Sequence, residues 1–138
     1  MRKLLFLLFL YSFNLAAEEL PPIVVYKDPD CGCCTGWISH MRKAGFKVEA
    51  KDVTDLDAVK AAHKVPADLE SCHTAIVGGY VVEGHIPPAQ VKKLLAEKPK
   101  IIGISLPGMP QGSPGMPGVK NEKWVIKSFG PDGVFAVE

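Results

Sequence analysis

The sequence predicts a mixed α/β domain, and three observations carry that prediction. β-Branched runs alternate with helical stripes through the first hundred residues, two such runs flank a Gly-Gly pair, and turn-forming residues mark each change of period. Ile23-Val24-Val25-Tyr26 is the first strand-like run, bounded by Pro22 and by the turn-rich Lys27-Asp28-Pro29-Asp30. From Thr35 to Ala44, apolar residues recur at Trp37, Ile38, Met41 and Ala44, a helical stripe that Gly45 stops. Phe46 to Val53 then alternates apolar and polar, as a half-buried strand does. Thr54 with Asp57 forms a capping box for a second helix that turns Leu56, Val59 and Ala62 inward. Thr74-Ala75-Ile76-Val77 and Tyr80-Val81-Val82-Glu83 surround Gly78-Gly79, which reads as a tight hairpin. Pro87-Pro88 opens a third helix with Val91, Leu94 and Leu95 on one face and Lys92 and Lys93 outside.

The resulting order is β-α-β-α-β-β-α. A crossover helix makes the first two strands parallel, and the Gly-Gly turn makes the last pair antiparallel. This is a thioredoxin-like arrangement, read from element order before any motif is used. The character changes after Ile101. Residues 108 to 118 are an irregular Gly/Pro segment with two Gly-Met-Pro copies, at Gly108 and Gly115. A closing hairpin follows, Trp124 to Phe129 and Val134 to Val137, turned by Gly130-Pro131-Asp132-Gly133.

The start of the chain reads as an export signal. Arg2 and Lys3 precede the apolar run Leu4 to Leu10, and Leu15-Ala16-Ala17 forms a small-residue exit. The run is too short to span a bilayer as a helix, and no Cys lies near the cut to carry a lipid anchor. Removing residues 1–17 leaves 121 of the 138 and takes away two of the 16 Lys+Arg but none of the 15 Asp+Glu, for a net charge of −1. Residues 18–138 then form one domain, with a core over about 22–100 and the loop and hairpin at 101–138. The near-neutral balance lacks the basic excess of a nucleic-acid binder. At 47% apolar, the chain is too hydrophobic for a disordered tail. The expectation is an exported protein with neither nucleic-acid nor membrane partner after signal cleavage.

Cys31-Gly32-Cys33-Cys34 falls between the first strand and the first helix. The helix dipole and its free N–H groups favour thiolate there, the form that both binds metals and exchanges disulfides. Three readings stay open. A disulfide staple suits an exported chain, but cysteines this close together close only tiny loops, which stabilise little. A dithiol oxidoreductase would use the C-x-x-C pair Cys31 and Cys34, with Cys33 as a thiol that scrambles exchange. A soft-metal site uses all three sulfurs, since crowded thiolates bridge several ions and select Cu(I). Cys72 weights the choice. In this topology Ser71-Cys72-His73 precedes the third strand and lies against the first helix, where redox members of the fold keep a cis-proline. The nearest proline here is Pro66, so a Cys-His donor pair stands in that place and four sulfurs converge.

The remaining donors divide. Met41 belongs to the helical core stripe, His40 to the solvent face, and His63 to the end of the second helix as a cap. His73 and His85 are candidate ligands, although adjacent strand residues point apart, which separates His73 from Cys72. Met109 and Met116 lie on a loop, each between Gly and Pro; they serve either as Cu(I) thioether ligands or as adaptable apolar filler.

Tyr26-Lys27-Asp28-Pro29-Asp30-Cys31-Gly32-Cys33-Cys34, Cys72-His73-Thr74, Glu83-Gly84-His85-Ile86-Pro87 and the two Gly-Met-Pro segments resemble the periplasmic copper-resistance proteins called CopG. These are unrelated to the DNA-binding repressors of the same name. The resemblance runs from about Ile23 to Gly118. It implies a multinuclear Cu(I) site bridged by Cys31, Cys33, Cys34 and Cys72, working beside other periplasmic copper-export proteins. Met109, Met116, His73 and His85 fall in matching segments as further ligands. The expected function is Cu(I) sequestration or transfer in the periplasm, contributing to copper resistance. Because sulfur also exchanges electrons, oxidoreductase activity on copper stays open, as does dithiol-disulfide exchange through Cys31 and Cys34.

Overall fold

A computed structural model describes residues 18–131 and 134–137, the last four as backbone. The expected signal at 1–17 and the Asp132-Gly133 half of the last turn lie outside the described residues. The elements are β1 (Ile23–Lys27), α1 (Gly32–Lys43), β2 (Val48–Asp52), α2 (Leu56–Ala62), a 3₁₀ turn (Ala67–Leu69), β3 (His73–Val77), β4 (Tyr80–Gly84), α3 (Pro88–Glu97), β5 (Gly103–Leu106), β6 (Val125–Phe129) and β7 (Val134–Val137). They build one seven-stranded sheet in the order β2-β1-β3-β4-β5-β6-β7. β1 and β2 are parallel, while β3 runs antiparallel to both β1 and β4. The first four strands with α1, α2 and α3 form the thioredoxin-like unit.

Local chemistry accounts for most boundaries. Gly45 ends α1 at φ +99°, in the left-handed region that favours glycine. Gly78 and Gly79, at φ +55° and +84°, make the tight turn whose twist matches the flanking strands. Pro88 opens α3, where its missing N–H costs nothing. His63 takes the C-cap position of α2.

Four sequence readings need correction. The α2 cap is Asp55, whose carboxylate accepts from the Ala58 amide at 3.0 Å, rather than a Thr54/Asp57 box. Its buried residue is Lys60; Ala62 is exposed, and Leu56 and Val59 are only partly covered. Third, Gly103–Leu106 is a strand that periodicity does not reveal. All four residues are buried, because β5 lies between β4 and β6, so the run shows no alternation. Through β5 the closing hairpin β6–β7 joins the main sheet. The edge strand β2 is also shorter than the sequence pattern and mostly exposed.

The two sheet faces carry separate cores. Trp37, Ile38 and Met41 of α1 and Val91 and Leu94 of α3 pack with Ile23, Val25, Val82 and Ile104. A smaller cluster of Val65, Leu69, Val81 and Phe129 covers the other face. Among the described residues no helix is long and apolar enough to cross a membrane.

Candidate metal centre

The Lys27-Asp28-Pro29-Asp30 turn delivers the chain from β1 to α1. Buried Lys27 holds it, donating to the Asp28 carbonyl at 3.0 Å and pairing with Asp52 at 2.8 Å. The Asp28 carboxylate accepts from the Asp30 amide at 2.8 Å, and the Asp28 carbonyl from the Cys31 amide at 3.1 Å. Cys31 therefore becomes the N-cap of α1, its Sγ accepting from the Cys34 amide at 3.3 Å. Cys33 and Cys34 occupy the first helical turn.

Cys72 arrives from the other side. It sits just before β3, so strand alternation does not bind it, and both Cys72 and His73 reach the same corner. This removes the objection that adjacent residues point apart. Cys72 Sγ lies 3.6 Å from Cys34 Sγ, 3.8 Å from Cys33 Sγ and 3.4 Å from His73 Nδ1. Cys33 Sγ is 3.5 Å from Cys31 Sγ. His85, just beyond β4, brings Nε2 to 2.8 Å from Cys72 Sγ. Two donor groups result, Cys31/Cys33/Cys34/Cys72 and Cys72/His73/His85, each with its ligand atoms within 4.8 Å of one another. Cys72 belongs to both.

The electrostatics suit a bound cation. Burial, then the neighbouring Cys33, pushes the Cys72 thiol up to about 12. A metal reverses that preference by displacing the proton. Burial, followed by the His85 and Lys60 charges, pushes His73 down to about 3, and burial also lowers His85. Both imidazoles are thus neutral near pH 7, the form that ligates. The Pro114 carbonyl, 2.7 Å from His85 Nδ1, can only accept, so Nδ1 carries the proton. The Nε2 lone pair then faces Cys72, a carbonyl–imidazole relay of the kind that orients metal ligands. His73 keeps Nε2 buried without a protein partner while its other nitrogen faces Cys72. Neither donor group contains a carboxylate, so the set is soft.

The segment after β5 crosses this corner. Gly108 O accepts from Ser71 Oγ, Pro114 O from His85, and Gly115 lies flat on α1, where an added Cβ would sit 2.4 Å from Cys33 O. Met116 is half-buried beside that contact, whereas Met109 is 52% exposed. Met41 is core and His40 is exposed, as their spacing implies. Cys31 and Cys34 are joined as a disulfide with Cα atoms 5.3 Å apart, and Cys33 and Cys72 are free thiols.

Sequence reasoning missed the support beneath Cys72. Glu83, fully buried, accepts from the Ser71 amide at 2.7 Å, from Thr74 Oγ1 at 2.6 Å, and from Lys60. Burial raises its carboxyl pKa, and these partners work against that rise. Lys60 also donates to Thr74 Oγ1 at 3.1 Å. The available signal was one carboxylate, Glu83, set into the otherwise apolar run Tyr80-Val81-Val82.

Fold and site together define a thioredoxin-like α/β protein whose reactive corner gathers sulfur and imidazole donors able to hold a metal. Two solved structures match it, copper resistance protein CopG form 1 and form 2. Each is 40% identical with a TM-score of 0.80, covering 87% of this chain and 98% and 99% of theirs. A family model described as "Protein of unknown function, DUF411" matches residues 69–116. No curated protein sequence matches the chain. The chain belongs to the CopG copper-resistance family.

Proposed function

We propose that this protein binds Cu(I) in a cysteine-bridged multinuclear site and sequesters or transfers it in the periplasm, after residues 1–17 direct export and are removed. Residues 18–138 are the metal-binding domain. The observation that carries this reading is the convergence of four cysteine sulfurs with two neutral imidazoles around the shared Cys72. Once a two-electron thiol reductant opens the Cys31–Cys34 disulfide, Cys31, Cys33, Cys34 and Cys72 bind and bridge the ions, His73 and His85 add nitrogen ligands, and Met109 and Met116 cover or load the site. Thiolates that enclose the ions keep water from them and suppress copper-driven radical chemistry. Other periplasmic copper-export proteins are the exchange partners.

A metal and free-thiol count on protein purified anaerobically from copper-fed cells tests this. Several coppers per chain, with thiols that return when a Cu(I) chelator is added, support the reading. No copper, with thiols appearing only after a disulfide reductant, rejects it.

The Cys31–Cys34 disulfide favours a second reading, dithiol-disulfide exchange. Exchange needs only that pair and survives Cys72→Ser, whereas a copper cluster loses metal in the same variant.

A further inference from the structure

We infer that Glu83, braced by Lys60, is a positioning residue for the copper site: its carboxylate holds the Ser71 backbone amide on one side of Cys72-His73 and the Thr74 side-chain hydroxyl on the other, and so sets where those donors point. This rests on the copper-binding reading above.

The geometry is specific. Ser71 and Thr74 bracket Cys72 and His73 in sequence, and both donate to the one Glu83 carboxylate, at 2.7 and 2.6 Å. Glu83 is also the register partner of Thr74 across the β3–β4 ladder, and its own strand runs on into His85. One side chain thereby ties together the approaches to three donors. It is not itself a ligand. Side chains alternate along a strand, so Glu83 shares its face with Val81 of the smaller core, opposite the face of Val82. His73 lies on that opposite face, its ring 4.6 Å from Trp37.

A buried ion pair is a poor way to stabilise a core, because apolar residues of similar size commonly do as well. Lys60 and Glu83 are 3% and 0% exposed. What apolar replacements cannot do is accept the Ser71 amide and the Thr74 hydroxyl together. Outer-shell partners of metal ligands are worth roughly 10–100-fold in metal affinity, the range expected here.

The test compares the full chain with Lys60→Met/Glu83→Leu and with Glu83→Gln, which keeps an oxygen acceptor for the Ser71 amide. Cu(I) affinity is read by chelator competition, the site by its sulfur-to-copper charge-transfer spectrum, and metal-free stability by urea unfolding. The double variant should bind Cu(I) roughly 10–100-fold more weakly with an altered spectrum, and Glu83→Gln should recover much of the loss. Unchanged affinity and spectrum in the double variant overturn the inference, whatever happens to stability. If the double variant does not fold, Thr74→Val, which deletes one of the two bracketing donors, decides by the same readout: weaker copper binding supports the role and wild-type binding refutes it. Failure of the wild-type chain to bind Cu(I) would instead remove the copper reading, and this inference with it.

Discussion

Gly115→Ala probes how the loop after β5 and the metal corner depend on each other. Gly115 has φ +94°, and a Cβ there would lie 2.4 Å from Cys33 O and 2.6 Å from Trp37 N, both backbone atoms of α1. Trp37 anchors that helix, being fully buried and bonded through Nε1 to Ile86 O at 2.8 Å, so the loop must yield instead. Ordinary contact begins near 3.4 Å. The loop must therefore lift by about 1 Å, carrying Pro114 O from 2.7 Å to about 3.7 Å from His85 Nδ1, beyond hydrogen-bond reach. Left-handed strain of about 1–2 kcal/mol and a lost hydrogen bond of about 1 kcal/mol should lower the melting temperature of the metal-free protein by roughly 5–10 °C. Freed from its carbonyl, His85 no longer holds the Nδ1–H tautomer, and Cu(I) affinity should fall roughly tenfold or more. Gly118→Ala is the matched control. Its φ of +85° carries similar strain, but the added Cβ meets only the Gln111 side chain at 3.5 Å. It should lose stability while keeping copper affinity. Equal copper affinity for Gly115→Ala and Gly118→Ala, by chelator competition, would refute the coupling between loop and His85.

Other substitutions separate the candidate ligands. Cys72→Ser removes the sulfur common to both donor groups and should cost more copper per chain than Cys33→Ser; equal losses by metal analysis would deny Cys72 its shared role. Met109→Leu with Met116→Leu should speed Cu(I) loss to a chelator with circular dichroism unchanged, and an unaltered rate would return both residues to packing. Acid should weaken the metal-free fold. His73 binds its proton less readily folded than unfolded, so the unfolded chain takes up more protons, and stability falls as pH drops from 6.5 towards about 3. His73→Gln should flatten the urea-midpoint profile across that window, and an unchanged slope would show that other groups carry it.

How much was readable beforehand depended on how local each cause was. The helix stripe of Trp37, Ile38 and Met41, the Gly78-Gly79 turn and Pro88 at a helix start are set by neighbours a few residues away. β5 was hidden because a strand with partners on both sides is buried on both faces and loses its alternation. Lys60 went unremarked because its cause is also long-range. A lysine on a polar-looking helix is ordinarily solvated, and only the carboxylate 23 positions later in the chain makes burial tolerable.

The sequence by itself determined the strand and helix order, the placing of Cys31, Cys33 and Cys34 at a helix start, and Cys72-His73 before a strand in the same corner. Those follow from short-range periodicity and from the few ways such an order can fold. Tertiary structure alone decided that His85 turns its Nε2 onto Cys72, that Pro114 fixes its tautomer, and that Glu83 holds both flanks of the Cys72-His73 pair. Each of these is a contact between groups at least nine positions apart in sequence, set by packing rather than by local pattern.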